Sequence, residues 1–296
     1  MAERESPERE GKAPTWKELV SGDAPLVLPA AHDALSARLI ERAGFKAYQV
    51  GGFALDGTYY GYPDIDLTHF GEKSTVIRHT IGASNLPVLV DADDGYGDVK
   101  NVTRTVRGYE AMGASAIFIE DQQAPKSCGQ EGKKKVIPAE KMVGKVKAAL
   151  AACREPDTFI LVRTDARSAV GLEEAIRRGK LYRDAGAHGL YIEGLESARE
   201  LEQVGKALEG IPLATTMMEG GGKLPWMPPQ EIGAYGFSMI LYPTTVLFRL
   251  TKSIERALVD LLAGQPMPEE DAVNRIAFED IVGKPAWARI EDEFGK

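Results

Sequence analysis

The chain has 296 residues, 44% hydrophobic and 27% charged, with a formal net charge of −8 at pH 7. This suits a soluble globular protein, and the acidic balance speaks against nucleic acid or an anionic membrane surface as main partner, since both require basic patches. No apolar run approaches the roughly 20 residues of a membrane span. Cys128 and Cys153 are the only cysteines, too few for a disulfide framework, so a cytoplasmic setting is expected.

Residues 1–14, MAERESPEREGKAP, are charged and lack an apolar core, so they read as a mobile tail and not a secretory signal. From there two patterns alternate. In one, an apolar run breaks into polar and glycine residues: PLVLPAAHDALSA (25–37), LPVLVDADDGYG (86–97), FILVRTDARSA (159–169) and IPLATTMMEGGG (211–222). In the other, a helix end is followed by a glycine and a short apolar run: RAGFKAYQVGG (42–52), AMGASAIFIED (111–121), DAGAHGLYIEG (184–194) and AYGFSMILYP (234–243). Glycine at a helix end takes the left-handed conformation without a Cβ penalty. The apolar runs are of buried parallel-strand type.

Strands are therefore expected near 26–29, 46–50, 87–91, 115–119, 158–163, 188–192, 212–215 and 237–241. Amphipathic helices are expected over 72–84, 99–112, 138–152, 171–185 and 195–207. Eight alternating units over residues 15–265 predict a (β/α)8 barrel of the α/β class. The competing fold, a doubly wound open sheet, would want a glycine-rich phosphate fingerprint after the first strand, and PAAHDALSA is not one. Residues 266–296 read as further helices that pack on a neighbouring subunit or on the outside of the barrel.

Active sites of such barrels lie at the C-terminal strand ends. There the sequence places Asp64, Asp91, Asp93, Asp94, Glu120, Asp121, Arg163, Asp165, Arg167 and Glu193. Converging carboxylates repel one another, and a hard divalent cation relieves that. A Mg²⁺ site built from Asp91, Asp93, Glu120 and Asp64 is expected, with Mn²⁺ as a substitute. An aspartate after a strand is also a common helix N-cap. That role is favoured for Asp33 and stands level with metal binding for Asp94 and Asp121. Arg163 is either an ion-pair partner of these acids or a clamp for a substrate carboxylate. The four histidines show no metal-binding spacing.

The stretch IEDQQAPKSCGQEGKKKV (119–136) contains Cys128 among Lys126, Ser127, Gly129 and Gln130. That electropositive setting favours a reactive thiol. Cys153, in or just past the helix over 138–152, reads as a small buried hydrophobe. Lys133 to Lys135 read as a solvated loop.

At these residues the sequence resembles the isocitrate lyase and phosphoenolpyruvate mutase superfamily, in its short methylisocitrate-lyase-like branch. The matching pieces are AHDALSARLIERAGF, GYPDIDL, VDADDGYGD, FIEDQQAPKSCGQEGKK, LVRTDAR, AGAHGLYIEG and PAWARIEDEFG, in order from about 24 to 296. The resemblance implies a barrel whose last helix swaps between subunits, in a homotetramer. It implies Mg²⁺ on Asp91, with Asp93, Glu120 and Asp64 around it through waters. The substrate would be an α-keto or α-hydroxy acid, bound by Arg163, Glu193, Gly51, Gly52, Lys126, Gly129 and Thr216. Tyr48 would act as base and Cys128 as proton donor in a carbon–carbon cleavage, under a closing loop. A carboxyphosphonoenolpyruvate phosphonomutase or related C–P enzyme, an oxaloacetate decarboxylase and a non-catalytic barrel are the competing functions. Departures from the family pattern at Gln130, Val50, Thr216 and His32 point to a smaller or less charged acid than isocitrate or methylisocitrate, such as a substituted malate or oxaloacetate.

Overall fold

A computed structural model of the protein describes residues 14–126 and 134–295. Eight strands follow one another: β1 (Leu26–Pro29), β2 (Tyr48–Val50), β3 (Val88–Asp91), β4 (Ala116–Glu120), β5 (Phe159–Thr164), β6 (Gly189–Ile192), β7 (Leu213–Thr216) and β8 (Phe237–Tyr242). All pairings are parallel, in the order β1-β8-β7-β6-β5-β4-β3-β2. The ends of that order meet: Ala31 N donates to Gln49 O at 2.8 Å, and Gln49 Nε2 donates to Leu28 O at 3.2 Å. A sheet whose first and second strands touch is a closed (β/α)8 barrel, so the doubly wound alternative is set aside.

The helices are α1 (Trp16–Val20), α2 (Ala34–Arg42), α3 (Gly52–Leu55), α4 (Phe70–Gly82), α5 (Val99–Ala111), α6 (Ala139–Ala152), α7 (Ala166–Ala169), α8 (Leu172–Asp184), α9 (Ala198–Ala207), α10 (Pro229–Ala234), α11 (Thr245–Leu262), α12 (Arg275–Ile281) and α13 (Lys284–Phe294). Asp33 caps α2, its Oδ1 accepting from Ser36 N at 2.7 Å. α3 runs on into a π-helical turn, Asp56–Tyr60, an irregularity frequent at functional sites.

Side-chain alternation divides the apolar residues into two layers. Leu28, Leu89, Phe118, Leu161, Tyr191 and Leu241 fill the barrel interior. Tyr48, Val50, Val90, Ile119, Val162 and Ile192 face the helices. α11 follows β8, yet none of its 18 residues is buried. Among the described residues no helix is long and apolar enough to cross a membrane.

Candidate active site

The interior layer continues past the strand ends, and its next residues are polar. Two positions beyond Leu89 stands Asp91, beyond Phe118 Glu120, beyond Leu161 Arg163, beyond Tyr191 Glu193, and beyond Ala214 Thr216. The period of 2 that fills the core thus brings these groups to one mouth.

On the β2–β4 side lies an acid cluster. Asp91 accepts from Gly52 N at 3.0 Å and from Asp93 N at 2.9 Å. Asp93 sits in the left-handed region, φ 47°, which aspartate tolerates better than most residues. It receives two lysines: Lys73 Nζ at 2.6 Å on Oδ2 and Lys126 Nζ at 2.5 Å on Oδ1. Lys126 also reaches Asp64 at 2.9 Å, and its backbone N donates to Asp66 at 2.6 Å. Burial, with Asp93 adding to it, pushes Asp91 up to about 6. Burial pushes Glu120 up to about 8 despite Arg163 and Lys126. Burial acts on Asp93 too, but the two lysines outweigh it and hold that carboxyl well below its usual range.

On the β5–β7 side, Arg163 Nε and Nη2 donate to Asp165, both at 2.9 Å, and Nε lies 3.3 Å from Glu120 Oε2. Its guanidinium stands 5.3 Å from the centre of the Tyr191 ring. Thr216 donates to Glu193 at 2.9 Å and bonds the Tyr191 hydroxyl. Lys134 donates to Asp165 at 2.5 Å.

The structure therefore brings together Asp64, Asp91, Asp93, Glu120 and Lys126 on one side, and Arg163, Glu193 and Thr216 on the other. Gly51 and Gly52 close the β2 corner, Gly52 through its bond to Asp91. Cys128, Gly129 and Gln130 lie outside the described residues. Tyr48 is a correction. It is fully buried in the helix-facing layer, its hydroxyl donates to Thr80 O of α4 at 3.4 Å, and burial raises its pKa above that of an ordinary tyrosine. It does not face the mouth, and neither does Val50.

Asp94 is paired to Lys145 at 3.0 Å, and Asp121 is bonded to Thr164 of β5, Asp165 N, and Arg178 and Tyr182 of α8, so neither caps a helix nor joins the cluster. Arg167 pairs with Glu196 and Glu200, both at 2.7 Å.

Sequence reasoning missed Lys73, Asp56 and Tyr191. Lys73 had a signal: it shares the buried face of α4 with Val76, Ile77 and Thr80, where a 3.6-residue period calls for apolar side chains.

Among the described residues no three His, Cys, Asp or Glu side chains are arranged to hold a metal ion directly. Magnesium asks for less, because it keeps several waters and needs one or two carboxylates. Among the described residues Glu120 Oε2 is buried without a hydrogen-bond partner, with Arg163 Nε 3.3 Å away, and burial favours the protonated form of both Asp91 and Glu120. Hard oxygen donors in that condition fit a hydrated hard cation.

A closed barrel with paired acidic and basic groups at its C-terminal mouth is the architecture of an enzyme acting on a small anion. The sequence profile of the phosphoenolpyruvate phosphomutase family matches residues 16–262, and the chain belongs to that family. It is 38% identical over 288 residues to a 2,3-dimethylmalate lyase of Eubacterium barkeri, covering 95% of this chain and 98% of the relative. It is 36% identical over 248 residues to a 2-methylisocitrate lyase of Bacillus subtilis (strain 168), covering 84% of this chain and 81% of the relative. Among solved structures it resembles an oxaloacetate acetylhydrolase bound to the inhibitor 3,3-difluorooxalacetate. There the TM-score is 0.89 at 27% identity, covering 96% of this chain and 97% of the other.

Proposed function

We propose that this lyase of the phosphoenolpyruvate phosphomutase family cleaves the C2–C3 bond of a 2-hydroxy dicarboxylic acid of the substituted-malate type, releasing an α-keto acid such as pyruvate. The observation that carries the reading is the division of the mouth. Buried carboxylates stand on the β3 and β4 ends, Glu120 with one oxygen outside any hydrogen bond among the described residues, and a guanidinium with a hydroxyl–carboxylate chain stands on β5 to β7. Such a mouth receives a di-acid lengthwise, one end on the acid side through a cation and the other on Arg163.

Asp91 and Glu120, with Asp64 nearby, would hold Mg²⁺. When bound, the ion supplies Lewis-acid polarisation of the substrate's C2 oxygen. Arg163 would exchange part of its pairing with Asp165 for the distal carboxylate, which its planar fork fits. Glu193 and Thr216 fix the Tyr191 hydroxyl beside that fork. Lys126 neutralises the acid side as the substrate enters. The C2 hydroxyl proton would pass to solvent water, the O–H electron pair would form the new C2=O bond, and the C2–C3 pair would leave with C3. Cys128 would return a proton to C3, giving the second carboxylic acid.

Exposed Leu258, Leu261 and Leu262 of α11 and Trp287, Ile290 and Phe294 of α13 support an assembly of several copies. We place this homo-oligomer, a tetramer, in the cytoplasm.

The test is release of α-keto acid from 2,3-dimethylmalate, 2-methylisocitrate, isocitrate and oxaloacetate, with Mg²⁺ and with chelator. Metal-dependent release from dimethylmalate and weak release from the tricarboxylates are expected. Silence on all four alongside turnover of a phosphonate would reverse the assignment.

A further inference from the structure

Among the described residues Lys73 is more enclosed than the other cations of the mouth, Lys126 and Arg163. Its side chain is 1% exposed, and it reaches the acids from the packed face of α4. Its ammonium lies 2.6 Å from Asp93 Oδ2, 3.4 Å from Asp56 Oδ2 and 5.9 Å from the centre of the Tyr96 ring. The backbone leaves room for it at Gly52, where an added Cβ would stand 3.1 Å from Nζ and 3.4 Å from Asp91 Oδ2. Asp56 is fully buried in the π-helical turn. Thr68 donates to its Oδ1 at 2.6 Å, while its Oδ2 has no hydrogen bond among the described residues and lies 3.4 Å from the lysine. Burial works against the charge of Lys73, and Asp93, Asp91 and Asp56 more than restore it.

We propose that Lys73 is a built-in cation of the site, a positioning residue that claims one oxygen of Asp93 and leaves the divalent ion to Asp91 and Glu120, while Asp56 sets how much of the lysine's charge that ion meets. With Lys126 on its other oxygen, Asp93 is committed to ammonium groups on both sides. Lys126 enters from the segment after β4, whereas Lys73 is fixed inside the wall. Like charges a few ångströms apart in a poorly hydrated site repel strongly. The protein alone therefore binds its metal weakly, and the anionic oxygens of an incoming acid supply the negative charge that Lys73 has offset.

The inference rests on the metal reading above, and two single variants separate it from that reading. Mg²⁺ and Mn²⁺ affinity of the full chain is measured by calorimetry without substrate. Lys73→Met is expected to bind the ion more tightly by about tenfold, because a like charge has gone. Asp56→Asn is expected to bind it several-fold more weakly, because the lysine's charge is no longer shared. A residue that merely held the fold together would weaken binding in both variants, so opposed shifts support the proposal and parallel or absent shifts overturn it. If Lys73→Met does not fold, an unchanged or tighter affinity in Asp56→Asn overturns it alone. No binding by the unmodified chain overturns the metal reading and this proposal together.

Discussion

Asp121 sits next to Glu120 in the sequence and faces the other way, and replacing it tests the period-2 division of the barrel. Its Oδ2 accepts from Thr164 Oγ1 at 2.7 Å, Arg178 Nη1 at 2.9 Å and Tyr182 OH at 2.7 Å, and its Oδ1 accepts from Asp165 N at 2.9 Å. One carboxylate thus ties β5 and α8 to the end of β4. Asp121→Ala would leave four donors behind, one of them a guanidinium. Removing one partner of a buried ion pair costs roughly 3–5 kcal/mol. Arg178 keeps Glu174 at 2.8 Å and Ile137 O at 2.8 Å, which places the loss at the lower end, about 3 kcal/mol. For a chain of 296 residues that lowers Tm by about 5 °C. The assay is thermal unfolding with and without Mg²⁺. The variant should melt lower by that amount while the half-saturating Mg²⁺ concentration for stabilisation stays where it was. A variant that melts like the parent, or loses its response to Mg²⁺, would refute the assignment of Asp121 to the framework.

Asp91→Ala should abolish Mg²⁺-dependent turnover and also the rise in Tm that Mg²⁺ produces, both read on the same preparation. Cys128→Ser should fold and bind Mg²⁺ normally, with kcat down by about 10²–10⁴, the usual worth of a positioned proton donor; unchanged turnover would remove the thiol from the mechanism. Tyr48→Phe should leave kcat/KM within about twofold and cost about 1 kcal/mol of stability from the lost bond to Thr80, whereas a drop of tenfold or more in kcat/KM would return this hydroxyl to the chemistry.

The strand order was legible in the sequence because parallel strands buried on both faces read as unbroken apolar runs, and each is bounded by a helix-ending glycine or a polar mouth residue. The acid cluster was legible for the same reason: AIFIE and VLVDAD change from apolar to charged at one place along the barrel axis. Register was harder to see. β2, YQV, is only three residues long and buried throughout, so its pattern does not say which face looks inward, and Tyr48 reads as inward until Gln49 is seen bonding Leu28 O. Glu120 and Asp121 are equally acidic, and only the pleat sends one to the mouth and the other to Arg178. Lys73 was hidden inside an ordinary-looking helix, since the sequence shows a lysine beside Glu72 and not the aspartates that receive it.

The raised carboxyls give the metal-free protein a pH dependence whose direction is fixed. A carboxyl whose folded pKa is raised holds its proton more tightly folded than unfolded. Its contribution to stability is complete below the unfolded value, near 4, and is lost as pH rises through the folded value. For Asp91 that window runs up to about 6 and for Glu120 up to about 8. Buried His32 and half-buried His188 have lowered pKa values, desolvation being the main cause, and work in the opposite sense below about 6.5, the unfolded histidine value. Asp93 and Asp165 are depressed by their lysine and arginine partners against the effect of burial, so they act only in acid, where falling pH removes their contribution. Between about pH 6.5 and 8 Glu120 is left as the main slope. Urea unfolding in EDTA should show stability declining across that interval, by at most ~1.4 kcal/mol per pH unit for a single group. Glu120→Gln should flatten the decline, and saturating Mg²⁺ should remove it, because a bound cation favours the ionised carboxyl in the folded state. A decline that survives both changes would mean that Glu120 carries no unusual affinity for its proton.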